Sequence, residues 1–265
     1  LVAFAQDDES RGFDCMAFHA DTSLISCRFG SPYPVATVAL LGDSHTASLY
    51  EAMAVVAEQK NWAVVTYLKA GCPPFGTERL APVGETPEER ASCGEWAQDA
   101  VAAVAADPTI SRVFTSYRSD GYRWIDPDGD LHWQLPEALV GPPLRQLTDA
   151  GKRVTIVRAV PTSNGLGPEN AMVDIQADVP DCIAMAGPVD DPCAGSRAER
   201  LTPDHFLATA LALGAPGIDV VDLTDAFCDA VLCHQLIGGV VVYSDGSHLT
   251  GTFARTLGPL LASRV

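Results

Sequence analysis

Short β-branched runs alternate with longer helical patterns along most of this sequence, and that order limits the fold more than any other feature. The runs that predict strands are 37–41, 63–67, 112–116, 153–160 and 219–223. The patterns that predict helices are 47–59, 96–106, 135–149, 198–213 and 252–261, of which 135–149 is predicted as a helix broken by prolines. Because strands joined through helices form right-handed crossovers, the sequence predicts a parallel sheet of about five strands, covered by helices on both faces in a three-layer α/β/α domain.

The first 34 residues do not share this order. They are polar, carry Cys15 and Cys27, and are interrupted by Gly30, Pro32 and Pro34. Clusters of this kind are typical of loops and linkers. We therefore predict a linker or N-terminal extension over 1–34, stapled by a disulfide, and one domain over 35–265.

Eight cysteines fall into four pairs of near neighbours in the sequence. The pairs are Cys15 with Cys27, Cys72 with Cys93, Cys182 with Cys193, and Cys228 with Cys233. Since eight cysteines allow on the order of a hundred connectivities, this pairing rests on proximity alone. Zinc is the competing explanation, but finger or ribbon spacing is missing, so we predict disulfides and no metal. Disulfides persist outside the reducing cytosol, which predicts an extracytoplasmic domain on the periplasmic or cell-wall side.

Acidic residues outnumber basic ones by 34 to 17, which gives a formal net charge of −17. A surface of this charge repels phosphate backbones, so we predict no nucleic acid partner. The same charge disfavours anionic substrates and favours neutral sugars, neutral lipids, esters or cations as ligands.

The start of the chain carries no recognisable export signal. Residues 1–6 are a short apolar stretch followed by acidic residues, without the basic region and cleavage pattern of a signal peptide. No apolar run reaches the length of about 18 residues that a membrane span needs. For an extracytoplasmic chain, this predicts a processed mature form or a piece of a larger, membrane-bound protein.

A candidate nucleophile lies where the first predicted strand ends. Residues 40–46 read Leu-Leu-Gly-Asp-Ser-His-Thr, so Ser44 follows an apolar strand at a turn and precedes a helix. Open parallel sheets bind ligands at the carboxyl ends of their strands, and N–H groups at a helix start can bind an oxyanion there. One interpretation is acyl transfer by Ser44. The other is that Asp43 or Ser44 is the N-cap of the helix.

A candidate base and its orienting group lie about two hundred residues later, just before the last predicted helix. Residues 243–250 read Tyr-Ser-Asp-Gly-Ser-His-Leu-Thr, with Asp245 three positions before His248. In a turn, this spacing lets the carboxylate reach one imidazole nitrogen while the other points at a serine, as a general base requires. The pair alone is a weak signal, but together with Ser44 it predicts a catalytic triad.

The two motifs resemble those of the SGNH (GDSL-like) hydrolase family. Within that family, the closer similarity is to the C-terminal domains of OafA-like membrane O-acyltransferases. It is carried by GDSHTASLY, by Lys-Ala-Gly-Cys-Pro-Pro at 69–74, by the Cys228/Cys233 pair and by the final DGSHLT. The resemblance covers about residues 35–261 and implies a flavodoxin-like fold. It also implies an upstream membrane acyltransferase module that tethers the domain to the cytoplasmic membrane.

Carried onto this sequence, the resemblance implies Ser44 as nucleophile, His248 as base and later acid, and Asp245 as the group that holds the imidazole. The implied reaction transfers an acyl group from a donor to a hydroxyl of a polysaccharide or glycolipid, through a serine acyl-enzyme. Among acyl groups, the resemblance favours acetyl. No cofactor is implied. The alternatives are a carbohydrate O-acetylesterase and a catalytically silent glycan-binding module.

The oxyanion hole of the family is formed by three donors. They are the N–H of the nucleophile, a glycine N–H after the second strand and an asparagine side chain after the third. Gly71 matches that glycine. No asparagine follows the third predicted strand here, so the third donor is missing or is replaced by Ser116 or Arg118.

Each of the remaining candidates also has an ordinary structural explanation. His45 either lines the site or is a polar residue of the first helical turn. Asn164 either faces substrate or belongs to a turn. Residues 126–130, Asp-Pro-Asp-Gly-Asp, are similar to a calcium loop but lack the distal glutamate, which favours a hairpin turn. Trp124 and Trp133, on either side of that turn, either stack on sugar rings or pack the hairpin onto the domain.

Overall fold

The structure, a computed structural model, describes residues 2–82, 86–118, 121–162, 179–186 and 191–265. Its strands are β1 (Arg28–Gly30), β2 (Ala36–Gly42), β3 (Trp62–Leu68), β4 (Leu80–Pro82), β5 (Ile110–Thr115), β6 (Tyr122–Ile125), β7 (Leu131–His132), β8 (Arg153–Val157), β9 (Gly195–Ser196), β10 (Ile218–Val221), β11 (Leu232–Cys233), β12 (Leu236–Ile237) and β13 (Val240–Val241). Its α-helices are α1 (Val2–Asp7), α2 (Ser44–Ala47), α3 (Tyr50–Lys60), α4 (Pro87–Ala106), α5 (Glu137–Asp149), α6 (Val179–Ala186), α7 (Arg197–Arg200), α8 (His205–Ala212) and α9 (Gly251–Ser263). Short 3₁₀ helices span Arg11–Cys15 and Thr224–Ala226.

Six strands form the central sheet in the order β1-β3-β2-β5-β8-β10. Five neighbouring strands of this sheet, β3-β2-β5-β8-β10, are parallel. The sixth strand, β1, lies at the edge and pairs antiparallel with β3. The parallel part has the flavodoxin-like order, in which the first strand lies between the second and the third. This confirms the predicted α/β fold and its parallel sheet. The edge strand β1 escaped prediction because three residues are too few to show a pattern.

The central strand β2 is buried on both faces, and its side chains alternate between two apolar cores. Val38 and Leu40 pack with residues of α3 and α9, whereas Ala39 and Leu41 pack with residues of α4 and α5. Because successive strand residues point to opposite faces, a strand covered on both sides is apolar throughout. This burial fixes the carboxyl end of β2, which Ser44 follows.

The helical pattern at 198–213 predicts one helix, but this prediction is wrong. The segment forms two helices, α7 and α8, joined by an irregular link at 201–204. Pro203 disfavours the helical conformation in the residue before it. Asp204 then begins α8 as its N-cap, and its side chain accepts a hydrogen bond from the Leu207 N–H at 2.9 Å.

The predicted extension over 1–34 lies against the sheet in its described part. Its strand β1 pairs with β3, and the Cys15–Cys27 disulfide closes the loop that precedes β1. The boundary between residues 34 and 35 stays a prediction. The extension nevertheless contributes an edge strand to the same sheet that carries the candidate site.

All eight cysteines are paired, and the partners are the near neighbours that the sequence predicts. The four disulfides are Cys15–Cys27, Cys72–Cys93, Cys182–Cys193 and Cys228–Cys233. No helix in the described ranges is both long and apolar enough to cross a membrane.

Candidate active site

Ser44 is the first residue of α2 and follows β2 directly. Asp43 is the N-cap of this helix, and its Oδ1 accepts hydrogen bonds from the N–H groups of His45 at 2.9 Å and Thr46 at 3.2 Å. The helix cap and the candidate nucleophile are therefore different residues. The two interpretations of the motif are compatible.

Gly42 makes the sharp passage from β2 to α2 possible. Its φ is +156°, which side chains rarely tolerate, and a Cβ there would lie 2.2 Å from Thr46 Oγ1. Thr46 donates its hydroxyl to the carbonyl of Ser116 and accepts the Ser116 N–H at 3.0 Å. The turn that carries Ser44 is thus fastened to the residue that follows β5.

Asp245 and His248 lie in a tight turn just before α9. Tyr243 and Leu249 form an antiparallel bridge at the base of this turn. Asp245 Oδ1 accepts the N–H groups of Ser247 at 2.6 Å and His248 at 2.7 Å. These bonds fix the carboxylate within the turn and leave Oδ2 to face the imidazole.

The turn brings Asp245 and His248 to Ser44. His248 Nδ1 lies 2.6 Å from Asp245 Oδ2, and His248 Nε2 lies 2.8 Å from Ser44 Oγ. Both distances are within the hydrogen-bond reach that a general base needs. An imidazole held in this way can take the proton of a serine hydroxyl while the carboxylate fixes its tautomer. The three predicted triad residues are therefore assembled in one place.

The charge on Asp245 suits this arrangement. Burial raises the pKa of Asp245, but the hydrogen bond and charge of His248 and two backbone N–H groups outweigh it, and this pKa lies well below its usual value. Asp245 is therefore ionised at neutral pH, beside an imidazole that becomes cationic when it accepts a proton. The His248 side chain is 24% exposed, so the imidazole is partly accessible to solvent.

Asp43 has a buried partner that sequence analysis missed. Its side chain is fully buried, and its Oδ2 accepts the Tyr122 hydroxyl at 2.7 Å. Burial raises the pKa of Asp43, in opposition to the hydrogen bonds from Tyr122 and the backbone, which lower it. Tyr122 lies in β6, 79 positions along the chain, and no local pattern connects the two residues.

Replacing Asp43 with alanine removes the cap of α2 and leaves the Tyr122 hydroxyl without this acceptor. We expect the free energy of unfolding, measured by urea denaturation, to fall by about 1–3 kcal/mol. Asp43→Asn keeps an acceptor oxygen and is the matched control, with a smaller loss.

The raised pKa of Asp43 adds a pH dependence to this comparison. The folded wild type holds the proton of Asp43 more tightly than the unfolded chain does, so its stability relative to Asp43→Asn declines as the pH rises through the carboxylate range. A difference in free energy of unfolding between wild type and Asp43→Asn that does not change with pH would contradict the raised pKa of Asp43.

Gly71, the predicted glycine of the oxyanion hole, lies in the turn after β3 with a φ of +64°. The start of this turn is fastened to β2, because the Lys69 N–H donates to the Gly42 carbonyl at 3.1 Å. Gly71 therefore lies near the strand end that Ser44 follows. Its role as an oxyanion donor stays a prediction.

Ser116 and Arg118, the candidate replacements for the missing asparagine, both border the nucleophile turn. The Ser116 backbone N–H is bonded to Thr46, so the hydroxyl is the donor that this residue has left to offer. The Arg118 N–H lies 3.5 Å from Asp43 Oδ2. The identity of the third donor stays a prediction.

His45 packs against His248. The two ring centroids are 4.8 Å apart, with an angle of 43° between the planes. Burial, followed by the charges of His248 and Arg118, lowers the pKa of His45 well below its usual value. His45 is thus a neutral imidazole that belongs to the first turn of α2 and also borders the site.

Phe13 contacts His248 as well, and sequence analysis missed it. Its ring centroid lies 5.4 Å from that of His248, at an interplanar angle of 84°. Phe13 belongs to the segment predicted as a linker. The sequence does place Phe13 two positions before the disulfide residue Cys15. This position indicates an ordered segment, but it does not predict a contact with His248.

The segment similar to a calcium loop is a hairpin turn between β6 and β7. Trp124 pairs with His132 across the two strands. Asp126 Oδ1 accepts the N–H groups of Asp128 and Asp130, both at 2.9 Å, and its Oδ2 lies 2.9 Å from His132 Nε2. The carboxylate is thus used within the turn, as the hairpin interpretation predicts.

The two tryptophans of the hairpin have protein partners. Trp124 packs against the apolar core, and the Arg123 guanidinium lies 5.6 Å from the centroid of the Trp133 ring. Asn164 lies outside the described residues. Within those residues, no group of three or more His, Cys, Asp or Glu side chains could hold a metal ion.

Comparisons with known proteins identify a family and a similar solved structure. A family model described as "SGNH domain (fused to AT3 domains)" matches residues 14–263, a range that includes all three triad residues. Among solved structures, the lipopolysaccharide acetyltransferase periplasmic domain of Salmonella ser. Paratyphi A is similar, with a TM-score of 0.58. The alignment covers 86% of this chain and 82% of that one at 13% sequence identity, and at this identity the likeness shows the fold. A search of curated proteins found no match.

Proposed function

We propose that this chain, which belongs to the family of SGNH domains fused to AT3 domains, is a serine O-acyltransferase or esterase domain. The observation that carries the proposal is the continuous hydrogen-bonded series from Asp245 through His248 to Ser44. This series lies at the end of β2, beside β5, where the strand order of the sheet reverses. Doubly wound sheets bind their ligands at this point.

The proposed reaction has two halves. Ser44 Oγ attacks the acyl carbonyl of the donor while His248 Nε2 takes the hydroxyl proton, and the N–H groups of Ser44 and Gly71 bind the resulting oxyanion. The bond to the leaving group then breaks, the leaving group takes the proton from His248, and the acyl group remains on Ser44. In the second half, an acceptor hydroxyl gives its proton to His248 and attacks the same carbonyl. The bond between Ser44 Oγ and the acyl group then breaks, and His248 returns the proton to Ser44 Oγ.

The nature of the acceptor separates transfer from hydrolysis. A sugar hydroxyl makes the domain a transferase and water makes it an esterase, with the same three residues in the same roles. We favour transfer of an acetyl group to a hydroxyl of a polysaccharide or glycolipid. Two findings support this: the family is fused to AT3 domains, and the similar solved structure is that of an acetyltransferase domain.

The proposed setting is the periplasmic or cell-wall side of the membrane. Four disulfides fit an oxidising compartment, and the similar solved structure is a periplasmic domain. A membrane acyltransferase module, tethering the domain from upstream, would supply the acyl donor. The net charge of −17 favours a neutral glycan over a polyanionic one as acceptor.

The test is the turnover of a chromogenic acetate ester by wild type and Ser44→Ala, with and without neutral oligosaccharides. The products are followed by mass spectrometry, and Ser263→Ala, which alters an exposed serine at the end of α9, is the matched control. We expect acetylated oligosaccharide to form at the expense of free acetate, in wild type and the control only. Ser44-dependent release of acetate alone would make the domain an esterase. Equal behaviour of wild type and Ser44→Ala would contradict catalysis and favour a glycan-binding module.

A further inference from the structure

We propose that residues 8–13, here called the N-terminal brace, position His248 for acyl transfer, with Phe13 as the residue that touches the imidazole. The inference rests on the proposed function and extends the site to a segment outside both sequence motifs. Phe13 acts through His248, so it is a positioning residue.

The contact between Phe13 and His248 is a specific aromatic one. The rings meet nearly at right angles, at 84° with centroids 5.4 Å apart, which is the edge-to-face arrangement that aromatic pairs prefer. His45 makes a second ring contact with His248. Two rings therefore restrict the imidazole in addition to its bonds to Asp245 and Ser44.

The brace is fastened to α2, the helix that begins with Ser44. Buried Ser10 donates its hydroxyl to the Ala47 carbonyl at 2.6 Å. The backbone at Gly12 lies so close to α2 that a Cβ on Gly12 would be 2.4 Å from the same Ala47 carbonyl oxygen. The position of Phe13 is therefore set by direct contact with the helix of the nucleophile.

The brace is also fastened to α3 and α9 through a buried carboxylate. Glu51 of α3 is 5% exposed and accepts two bonds from Arg11, at 2.6 and 2.8 Å, and one from Arg255 of α9, at 2.7 Å. Burial raises the pKa of Glu51, but the two guanidinium groups outweigh it and lower this pKa below its usual value. The ionised carboxylate thus joins the brace to the helix that follows His248.

Asp8 makes the second connection to α9. Its carbonyl accepts the Gly251 N–H at 2.8 Å, and its carboxylate accepts the Thr252 N–H at 3.0 Å. A carboxylate is favourable at this helix end, where N–H groups lack partners within the helix. Since α9 begins three residues after His248, the brace links the helix that begins with the nucleophile to the helix that follows the base.

This arrangement matters most in the second half of the reaction. Once Ser44 carries the acyl group, its Oγ has no proton to donate to His248, and one of the two hydrogen bonds of the imidazole is lost. The ring contacts then help to keep Nε2 directed at the incoming hydroxyl. A displacement of about 1 Å in such a group can lower a rate by up to about 10²-fold.

The test compares three variants with wild type in the full domain. Phe13→Leu keeps an apolar side chain without the ring, and Phe13→Tyr keeps the ring. Phe18→Ala, the matched control, removes a half-exposed phenylalanine of the N-terminal extension that lies outside the brace. We expect Phe13→Leu to lower kcat for the chromogenic ester by roughly tenfold with little change in KM. We expect Phe13→Tyr to keep the wild-type kcat and Phe18→Ala to leave kcat unchanged. The NMR resonances of the His248 ring protons move in Phe13→Leu because the ring current of Phe13 is lost.

The outcomes separate this inference from the proposed function. An unchanged kcat in Phe13→Leu, or an equal loss in Phe18→Ala, would overturn the role of the brace while Ser44-dependent turnover of the wild type stood. A wild type without Ser44-dependent turnover would overturn both.

Discussion

Replacement of His248 with alanine is expected to lower kcat/KM for the acetate ester by about 10⁴- to 10⁶-fold. The imidazole is the group within hydrogen-bond reach of Ser44 Oγ, at 2.8 Å. Without it, the serine hydroxyl keeps its proton and the leaving group has no acid to protonate it. The N–H groups proposed to bind the oxyanion remain in this variant, and we expect them to account for a residual rate.

The matched control for this variant is His132→Ala, which removes a half-exposed histidine of the β6–β7 hairpin. We expect the control to keep the wild-type rate, and both variants to keep the far-ultraviolet circular dichroism of the wild type. A fall of less than about tenfold in a folded His248→Ala protein would contradict the assignment of His248 as the base.

We expect replacement of Asp245 with asparagine to lower kcat by about 10⁴-fold, although the two side chains have the same shape. The Asp245 carboxylate accepts a hydrogen bond from the N–H of His248 Nδ1, which leaves Nε2 without a proton and able to accept the proton of Ser44. An asparagine amide can donate to Nδ1 and so favours the wrong tautomer. Steady-state kinetics over a range of pH measure the loss. Near wild-type kcat would show that the carboxylate does not orient the imidazole.

Asp245→Asn also changes how stability depends on pH. The pKa of Asp245 is lower in the folded state than in the unfolded chain, so its stabilising contribution is present above the unfolded pKa and is lost as the pH falls through the folded one. Wild type is therefore expected to lose stability relative to Asp245→Asn on acidification. A difference in free energy of unfolding that stayed constant with pH would contradict the lowered pKa.

The parallel sheet and the triad could be predicted from the sequence because their signals are local. The apolar run of β2, the small-residue turn at Ser44 and the three-residue spacing of Asp245 and His248 are each visible within a few positions. The order of strands and helices then places the carboxyl ends of the strands together. No long-range contact had to be known.

The remainder of the site depends on contacts that no local pattern specifies. Tyr122 reaches Asp43 from a separate three-stranded sheet, and Glu51 joins arginines from opposite ends of the chain. The brace illustrates this best, since residues 8–13 have the composition of a linker yet supply Phe13. Such contacts form when helices, strands and loops that are distant in sequence pack together. A periodic pattern in the sequence does not predict them.

The central claim, that Ser44 forms an acyl-enzyme, is tested most directly by covalent labelling. The folded domain is incubated with a serine-reactive phosphonate, and the modified peptide is located by mass spectrometry. We predict one phosphonylated residue, Ser44, with no label in Ser44→Ala and slow labelling in His248→Ala. A folded wild-type domain that stays unlabelled, or that carries the label on another residue, would contradict the claim.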